Sequence, residues 1–186
     1  MTGGGDATVL VVEDQKGLAE AYSAVLSAEY TVLTAFDGEE ALAVVDNEND
    51  VDVVLLDRRM PGMSGDEVLA ELTERGVTAK VAMLTAVEPD TDIVDMPFDD
   101  YVTKPVNNDQ LLSLVETLLM WATYDEYSQE FFRFASKKKA LESADREYTE
   151  EYKQIVDRMK EIQAKVDATL DELSEASRLT DVDVFR

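Results

Sequence analysis

The feature that most constrains the fold is an alternation, over the first 120 residues, of short apolar runs with amphipathic segments. The apolar runs cover residues 8–12, 30–36, 51–57, 79–85 and 99–104. The segments between them place apolar residues at helical spacing, which predicts helices over 16–28, 37–47, 64–76 and 108–120. This alternation predicts an α/β domain in which helices cover both faces of a parallel sheet.

Polar residues stand where these predicted strands end. They are Glu13 and Asp14, Asp57, Thr85 and Lys104. A single Asp after a strand is most often a turn or cap residue, but the carboxyl ends of parallel strands meet at one edge of an open sheet, where such sheets bind ligands. We therefore expect these side chains to converge on one crevice.

The residue types present limit the chemistry of that crevice. The chain has neither cysteine nor histidine, which excludes thiol nucleophiles, imidazole bases and the metal sites built from them. Close carboxylates repel one another unless a hard cation lies among them, and oxygen ligands suit Mg²⁺. A divalent ion beside a carboxylate, a hydroxyl and a lysine suits phosphoryl transfer. Asp57 would be the nucleophile, and Lys104 and Thr85 would contact phosphoryl oxygens.

Residues 7–120 resemble a response-regulator receiver domain of two-component signalling. The motifs that carry this resemblance are "VVED" (11–14), "LLDRRMPGMSGDE" (55–67), "MLTA" (83–86) and "DDYVTKP" (99–105). Together they cover nearly the whole segment. The resemblance implies a CheY-like, flavodoxin-like doubly wound sheet of five parallel strands in the order 2-1-3-4-5.

The resemblance also implies roles for individual residues. Asp57 would accept a phosphoryl group from a sensor histidine kinase, and Thr85 with Tyr101 would transmit the change. Mg²⁺ would be the cofactor, held by Glu13, Asp14, Asp57 and the backbone carbonyl of Arg59. The chain would then be no enzyme toward external substrates, and would have only self-phosphorylation and dephosphorylation chemistry.

Two local features modify this expectation. Arg59 and Val87 lie two residues beyond Asp57 and Thr85, so we predict that they tune dephosphorylation, although plain surface positions are an equal alternative. Pro97 interrupts the segment in which the family has its fourth helix, because proline is poorly tolerated inside a helix. A short or distorted fourth helix is expected, which puts the family's usual dimer through that region in doubt.

The charge changes along the chain. Its 41 acidic and 17 basic residues give a net charge of −24, but 25 of the acids and only 6 of the bases precede residue 121. This shift predicts a flexible N-terminus (1–6), a receiver domain (7–120) and a helical region (121–186). Such acidity suits a solvated surface at high salt, as in a halophile. No apolar run is long enough for a membrane span and no secretory signal follows Met1, so a cytoplasmic protein is expected.

The C-terminal region resembles the HalX region that follows receivers in halophilic archaea. The resemblance rests on "YSQEFFRFASKKKALE" (127–142), an acidic and basic coiled-coil stretch, and the "DVDVF" end. Apolar residues at spacings of three and four predict a helix from about 140 to 177, whereas 136–143 is either a turn or a helix start. So long a helix should pair with another, either folded back or from a second chain.

Three outputs remain to be distinguished. The first is a helical module that forms a homodimer or binds a helical protein partner through an aromatic cluster, although these aromatics alone suit a plain core. Its members are Trp121, Tyr124, Tyr127, Phe131, Phe132 and Phe134. The second is a transcription factor that binds DNA directly, which is not expected because no helix-turn-helix pattern or basic face is present. The third is a metal-dependent phosphatase, which is disfavoured because Arg59 stands where such enzymes carry a second acid.

Overall fold

The structure is a computed structural model that describes residues 7–48, 50–89 and 91–180. The N-terminus predicted to be flexible and the "DVDVF" end lie outside these residues. The strands are β1 (Thr8–Val12), β2 (Thr31–Ala35), β3 (Val53–Leu56), β4 (Lys80–Thr85) and β5 (Asp100–Thr103). The helices are α1 (Lys16–Leu26), α2 (Gly38–Asn47), α3 (Gly65–Glu74), α4 (Asn108–Ser143) and α5 (Glu150–Thr180).

The five strands form one parallel sheet in the order β2-β1-β3-β4-β5, which confirms the expected topology. Successive strand residues point to opposite faces, so each central strand supplies two cores. On one face, Leu10, Val54 and Met83 belong to the core that includes residues of α2 and α3. On the other, Val9, Leu55 and Leu84 belong to the core shared with α1 and the first turns of α4. This burial on both faces explains why the central strands are mostly apolar along their length.

Local signals set the ends of the helices. Asp37 caps α2 by accepting a hydrogen bond from Glu40 N–H at 2.8 Å, and Ser64 forms a capping box with Glu67 at the start of α3. Gly76 follows α3 with φ of +69°, a left-handed conformation that suits glycine. The caps at Asp37 and Ser64 fix where the loops that follow β2 and β3 end, and Gly76 fixes where the loop from α3 to β4 begins.

The segment between β4 and β5 confirms the expectation of a distorted fourth helix. Among its described residues, 86–89 and 91–99, the helical segment is a single 3₁₀ helix, Thr91–Asp95. Proline has no backbone N–H to continue a helical ladder, and Pro97 follows this helix by two residues.

The chain divides into two compact units between Leu119 and Met120, and α4 begins in the first unit and ends in the second. The alternatives for residues 136–143, a turn or a helix start, are both wrong, because these residues are the last turns of α4. The predicted helix start near 140 is therefore wrong as well. The turn falls at 144–149, where Asp145 adopts φ of +53°.

The second unit is a pair of antiparallel helices. Arg158 of α5 donates to Glu130 at 2.9 Å, and Tyr152 donates to Glu142 at 2.8 Å. Of the two arrangements left open, the helix folded back on its own chain is the one observed. Across the three described stretches, no helix combines the length and apolarity needed to cross a bilayer.

The packing of α3 on the end of β3 predicts an intolerance of any side chain at Gly65. A Cβ there would lie 2.2 Å from the Asp57 carbonyl oxygen and 2.8 Å from Arg58 Cα, so the backbone would have to move. We expect Gly65→Ala to lower the free energy of unfolding by about 2 kcal/mol. Gly17→Ala is the matched control, because that position in α1 is open and alanine favours helix. Urea denaturation followed by circular dichroism measures both, and an equal effect of the two changes would contradict this account.

Candidate functional site

The carboxylate of Asp57 lies at the end of a fully buried strand. All four residues of β3 are buried, and the chain continues the ladder for one more bond, from Asp57 N–H to the Val12 carbonyl at 2.9 Å. Asp57 as a whole is only 6% exposed. A carboxylate this buried requires partners.

Lys104 supplies the main partner. Its ammonium donates to Asp57 Oδ2 at 2.6 Å and also to Glu13 Oε2, and the side chains of Lys104, Asp57 and Glu13 are all at least nine-tenths buried. These residues follow β5, β3 and β1 respectively. The convergence predicted for Glu13, Asp57 and Lys104 is therefore observed.

The environment of Lys104 works on its pKa in two directions. Burial opposes the charged ammonium, but the hydrogen bonds to Asp57 and Glu13, with the field of both carboxylates, outweigh burial and raise the pKa of Lys104 above its ordinary value. Burial raises the pKa of the Tyr22 phenol, and the carboxylates of Glu13 and Asp57 add to that rise while the charge of Lys104 opposes it. Lys104 therefore remains an ammonium at neutral pH.

The three acids are arranged as a cation site would require. One carboxylate oxygen each from Glu13, Asp14 and Asp57 lies within 4.8 Å of the others, with Asp14 the more exposed member. Three carboxylates and one ammonium leave the cluster with two negative charges. A hard divalent cation such as Mg²⁺, which prefers oxygen ligands, fits both the charge and the donor atoms.

The loop after β3 orients Asp57 from the other side. Arg59 N–H donates to Asp57 Oδ1 at 3.1 Å, so the two oxygens of Asp57 have different donors, a backbone amide and an ammonium. The loop is also closed on itself, because Gly65 N–H donates to the Arg58 carbonyl at 2.9 Å. The Arg58–Arg59 peptide, which precedes the carbonyl predicted to bind the metal, is thus held through both its N–H and its C=O.

Thr85 and Tyr101 meet at the backbone of Val87. The fully buried Thr85 hydroxyl accepts from Val87 N–H at 3.3 Å, while the Tyr101 hydroxyl donates to the Val87 carbonyl at 2.8 Å. The Thr85 carbonyl also accepts from Lys104 N–H at 2.8 Å. The two residues predicted to form a switch are therefore joined through one peptide segment, which in turn adjoins Lys104.

Arg59 and Val87 line the same cavity of about 520 Å³. Ser64, Asp66 and Glu88 complete much of its wall. This geometry brings together the two positions predicted to tune dephosphorylation, on a side that solvent can reach.

Arg58 adjoins the site and was not predicted from the sequence. It is buried and forms a forked ion pair with Asp66 in the first turn of α3, with Nε 3.0 Å from Oδ1 and Nη2 3.1 Å from Oδ2. The available signal was strand alternation, because the residue after Asp57 must point to the opposite face, where α3 packs.

The Lys104 cluster predicts a large effect of removing the ammonium. Lys104→Met would leave Glu13 and Asp57 buried without this counter-charge, so we expect the free energy of unfolding to fall by about 3 kcal/mol in the absence of divalent cations. Lys16→Met is the control, because Lys16 is exposed and lies 5.3 Å above the Phe36 ring, where about 1 kcal/mol or less is expected. Equal losses for the two variants in urea denaturation would contradict the prediction.

The pH dependence of this difference follows from the raised pKa of Lys104. A group whose pKa is raised by folding stabilises fully below its unfolded value, about 10.4 for lysine, and that stabilisation is lost as pH rises through the folded value. The gap in stability between wild type and Lys104→Met should therefore stay constant near neutrality and narrow only above about pH 10.

Comparison with known proteins agrees with this geometry. Residues 9–116 match the family model described as the response regulator receiver domain, and residues 121–183 match that of the HalX domain. The chain is 36% identical to the response regulator TrrA from Thermotoga maritima, crystallised in complex with Mg²⁺ and BeF. The TM-score is 0.54, over 61% of this chain and 99% of that one.

Two relatives extend the comparison to longer proteins. A Haloferax volcanii protein named as a transcriptional regulator is 45% identical over 87% of this chain, and the transcriptional regulatory protein DltR of Streptococcus agalactiae is 40% identical over 58%. The chain spans 28% of the first relative and 49% of the second. With a receiver match over more than half of its length and a HalX match after it, the chain belongs to the response-regulator receiver family, and a HalX domain follows its receiver.

Proposed function

We propose that the chain is a two-component response regulator whose Asp57 is phosphorylated by a sensor histidine kinase in an Mg²⁺-dependent reaction. One observation carries this proposal: the buried Asp57 carboxylate receives Lys104 on one oxygen and Arg59 N–H on the other, beside two further acids. The phosphorylation of Asp57 is proposed to take place in the cytoplasm. The chain acts on no external substrate, and its chemistry is limited to gaining and losing its own phosphoryl group.

The step is an in-line transfer to a carboxylate. An Asp57 oxygen attacks phosphorus, the P–N bond of the kinase phosphohistidine breaks, and its electron pair returns to the imidazole. Lys104 meets one phosphoryl oxygen and the Thr85 hydroxyl another. Glu13, Asp14, Asp57 and the Arg59 carbonyl would hold Mg²⁺, which would supply neutralisation of the charge that develops on the phosphoryl group. Hydrolysis of the aspartyl phosphate by water reverses the state.

The switch runs through Val87. A Thr85 hydroxyl drawn toward the phosphoryl group would leave Val87 N–H, and Tyr101, bonded to the Val87 carbonyl, would respond. Arg59 and Val87 then tune the loss of phosphate, because both line one solvent-accessible cavity, whose wall also includes Arg58, the residue after Asp57.

The output lies in the helical region. We divide the chain into a receiver, residues 7–120, and an output region, 121–186, that dimerises or binds a helical protein partner. α4 continues without a break from one unit into the other, which supports transfer of the signal along it. Relatives named as transcriptional regulators favour transcription as the regulated process.

Charge pairing in the helical region disfavours direct DNA binding through the tail. Residues 121–186 carry 16 acidic and 11 basic residues, and several of the cations pair with acids of the same unit: Lys138 with Glu142, Lys153 with Glu150, Arg158 with Glu130 and Glu161, and Lys160 with Asp157. Binding to phosphates needs basic side chains directed at the nucleic acid. An output through protein contacts is therefore the better-supported of the two.

Phosphorylation tests the site directly. Incubation with Mg²⁺ and a small phosphodonor, or with a partner kinase, should add one acid-stable, base-labile phosphoryl group per chain. Asp57→Asn should abolish it, whereas Asp46→Asn, an exposed carboxylate on the far end of α2, should not. Intact-protein mass spectrometry measures both, and undiminished labelling of Asp57→Asn would exclude Asp57 as the acceptor.

The lifetime of the phosphorylated state tests Arg59. Removing its side chain enlarges the cavity that Arg59 lines with Val87, so we expect water to reach the aspartyl phosphate more readily and Arg59→Ala to shorten its half-life several-fold. Arg75→Ala is the control, since Arg75 pairs with Asp46 and Glu71 at the other end of α3. If decay after removal of the donor is as slow in Arg59→Ala as in wild type, Arg59 has no tuning role.

Assembly tests the output. Light scattering in high salt with Mg²⁺ should give a different mass with and without beryllofluoride, an aspartyl-phosphate mimic, and Asp57→Ala should abolish the difference. A dimer that does not respond would assign dimerisation to the helical region alone. An unresponsive monomer would contradict dimerisation and leave a helical protein partner as the output.

A further inference from the structure

The Arg58–Asp66 pair bridges the two ends of the loop that carries the predicted metal-binding carbonyl. Arg58 directly follows the phosphoacceptor, and Asp66 lies in the first turn of α3. Arg58 Nε lies 3.0 and 3.2 Å from the two carboxylate oxygens and Nη2 lies 3.1 Å from Oδ2. The planar fork of arginine matches a carboxylate in this way, and a lysine could not reproduce it.

The pair is also screened from solvent on the arginine side. The Arg58 side chain is 9% exposed and that of Asp66 is 43% exposed. A contact pair with one buried member is weakened by salt far less than a fully exposed pair. The Arg58–Asp66 ion pair should therefore persist at the high ionic strength to which so acidic a chain is suited.

Close backbone contacts leave the loop little freedom at its base. Gly65 N–H bonds to the Arg58 carbonyl at 2.9 Å, and Gly65 lies so near the Asp57 carbonyl that no Cβ fits between them. Between these two ends lies Arg59, whose N–H holds Asp57 Oδ1. A shift at the base of the loop would displace the Arg59 peptide, and with it both this hydrogen bond and the Arg59 carbonyl.

We infer that Arg58 and Asp66 are positioning residues for the metal site: their ion pair fixes the Arg59 backbone so that the Arg59 N–H meets Asp57 and the Arg59 carbonyl meets the cation. The inference rests on the proposed function for the metal itself. Groups that hold metal ligands in place commonly change metal affinity by about tenfold or more when they are altered.

The test uses the full chain, MgCl₂ as the probe, and Arg58→Lys. Amide NMR shifts of Asp57 and Arg59 during titration give the Mg²⁺ dissociation constant, and hydrogen exchange of the Arg59 amide without Mg²⁺ reports on the loop alone. We expect Arg58→Lys to raise the dissociation constant about tenfold and to speed exchange. Asp66→Asn, which keeps the shape and removes the charge, should act in the same direction.

Arg75→Lys is the matched control. Arg75 also contacts carboxylates, Asp46 at 2.7 Å and Glu71 at 3.2 Å, but it follows the other end of the same helix. Arg75→Lys should leave both the Mg²⁺ dissociation constant and the hydrogen exchange of the Arg59 amide unchanged.

The outcomes separate the two proposals. If Arg58→Lys lowers the melting temperature but binds Mg²⁺ as wild type does, with unchanged Arg59 exchange, the pair only stabilises the fold and the inference is wrong. If wild type itself shows no Mg²⁺-dependent shift, the proposed metal site is wrong and the metal part of the inference falls with it. Weaker binding in Arg58→Lys and Asp66→Asn but not in Arg75→Lys supports the inference.

Discussion

The hydrogen bonds from Lys104 to Asp57 and Glu13 are the interaction on which the site depends. In the strand order, β4 lies between β5 and β3, so Lys104 must reach across a neighbouring strand to Asp57. Adjacent strands are about 4.8 Å apart, so β5 and β3 are separated by about twice that distance, and only a long side chain with a compact charge spans such a gap. β4 permits the crossing because it ends in Thr85, a small residue that is fully buried.

This constraint links the geometry of the candidate site to the fold. The three strands that deliver Glu13, Asp57 and Lys104 are parallel, so their carboxyl ends coincide at one edge of a sheet that is buried on both faces. Repulsion between the acids is the cost of the arrangement, and one lysine offsets it only in part. The remaining negative charge is what makes the site suited to a divalent cation.

The sequence predicted the receiver better than the helical region, for a physical reason. Strands buried on both faces and polar residues at their ends leave a clear pattern, and the cap at Asp37 and the stop at Gly76 are strong local signals. The end of α4 had no such signal, because the left-handed position is filled by Asp145, a residue that tolerates it without requiring it. Thr149, whose hydroxyl accepts from Tyr152 N–H at 3.3 Å, marks the start of α5 more weakly than a glycine or proline would. Arg58 was missed because its partner is a tertiary contact.

The net charge of −24 bears on the site only over short distances. At about 1 M salt the Debye length is about 3 Å, so the acidic surface adds little to the attraction of a cation toward Asp57. What survives at that ionic strength is contact geometry: Lys104 against two buried carboxylates, and the Arg58 fork against Asp66. Fully exposed pairs such as Lys153 with Glu150 or Lys160 with Asp157 are screened much more strongly. In concentrated salt the buried ion pairs around Asp57 therefore contribute more to the electrostatics of the site than the acids of the surface do.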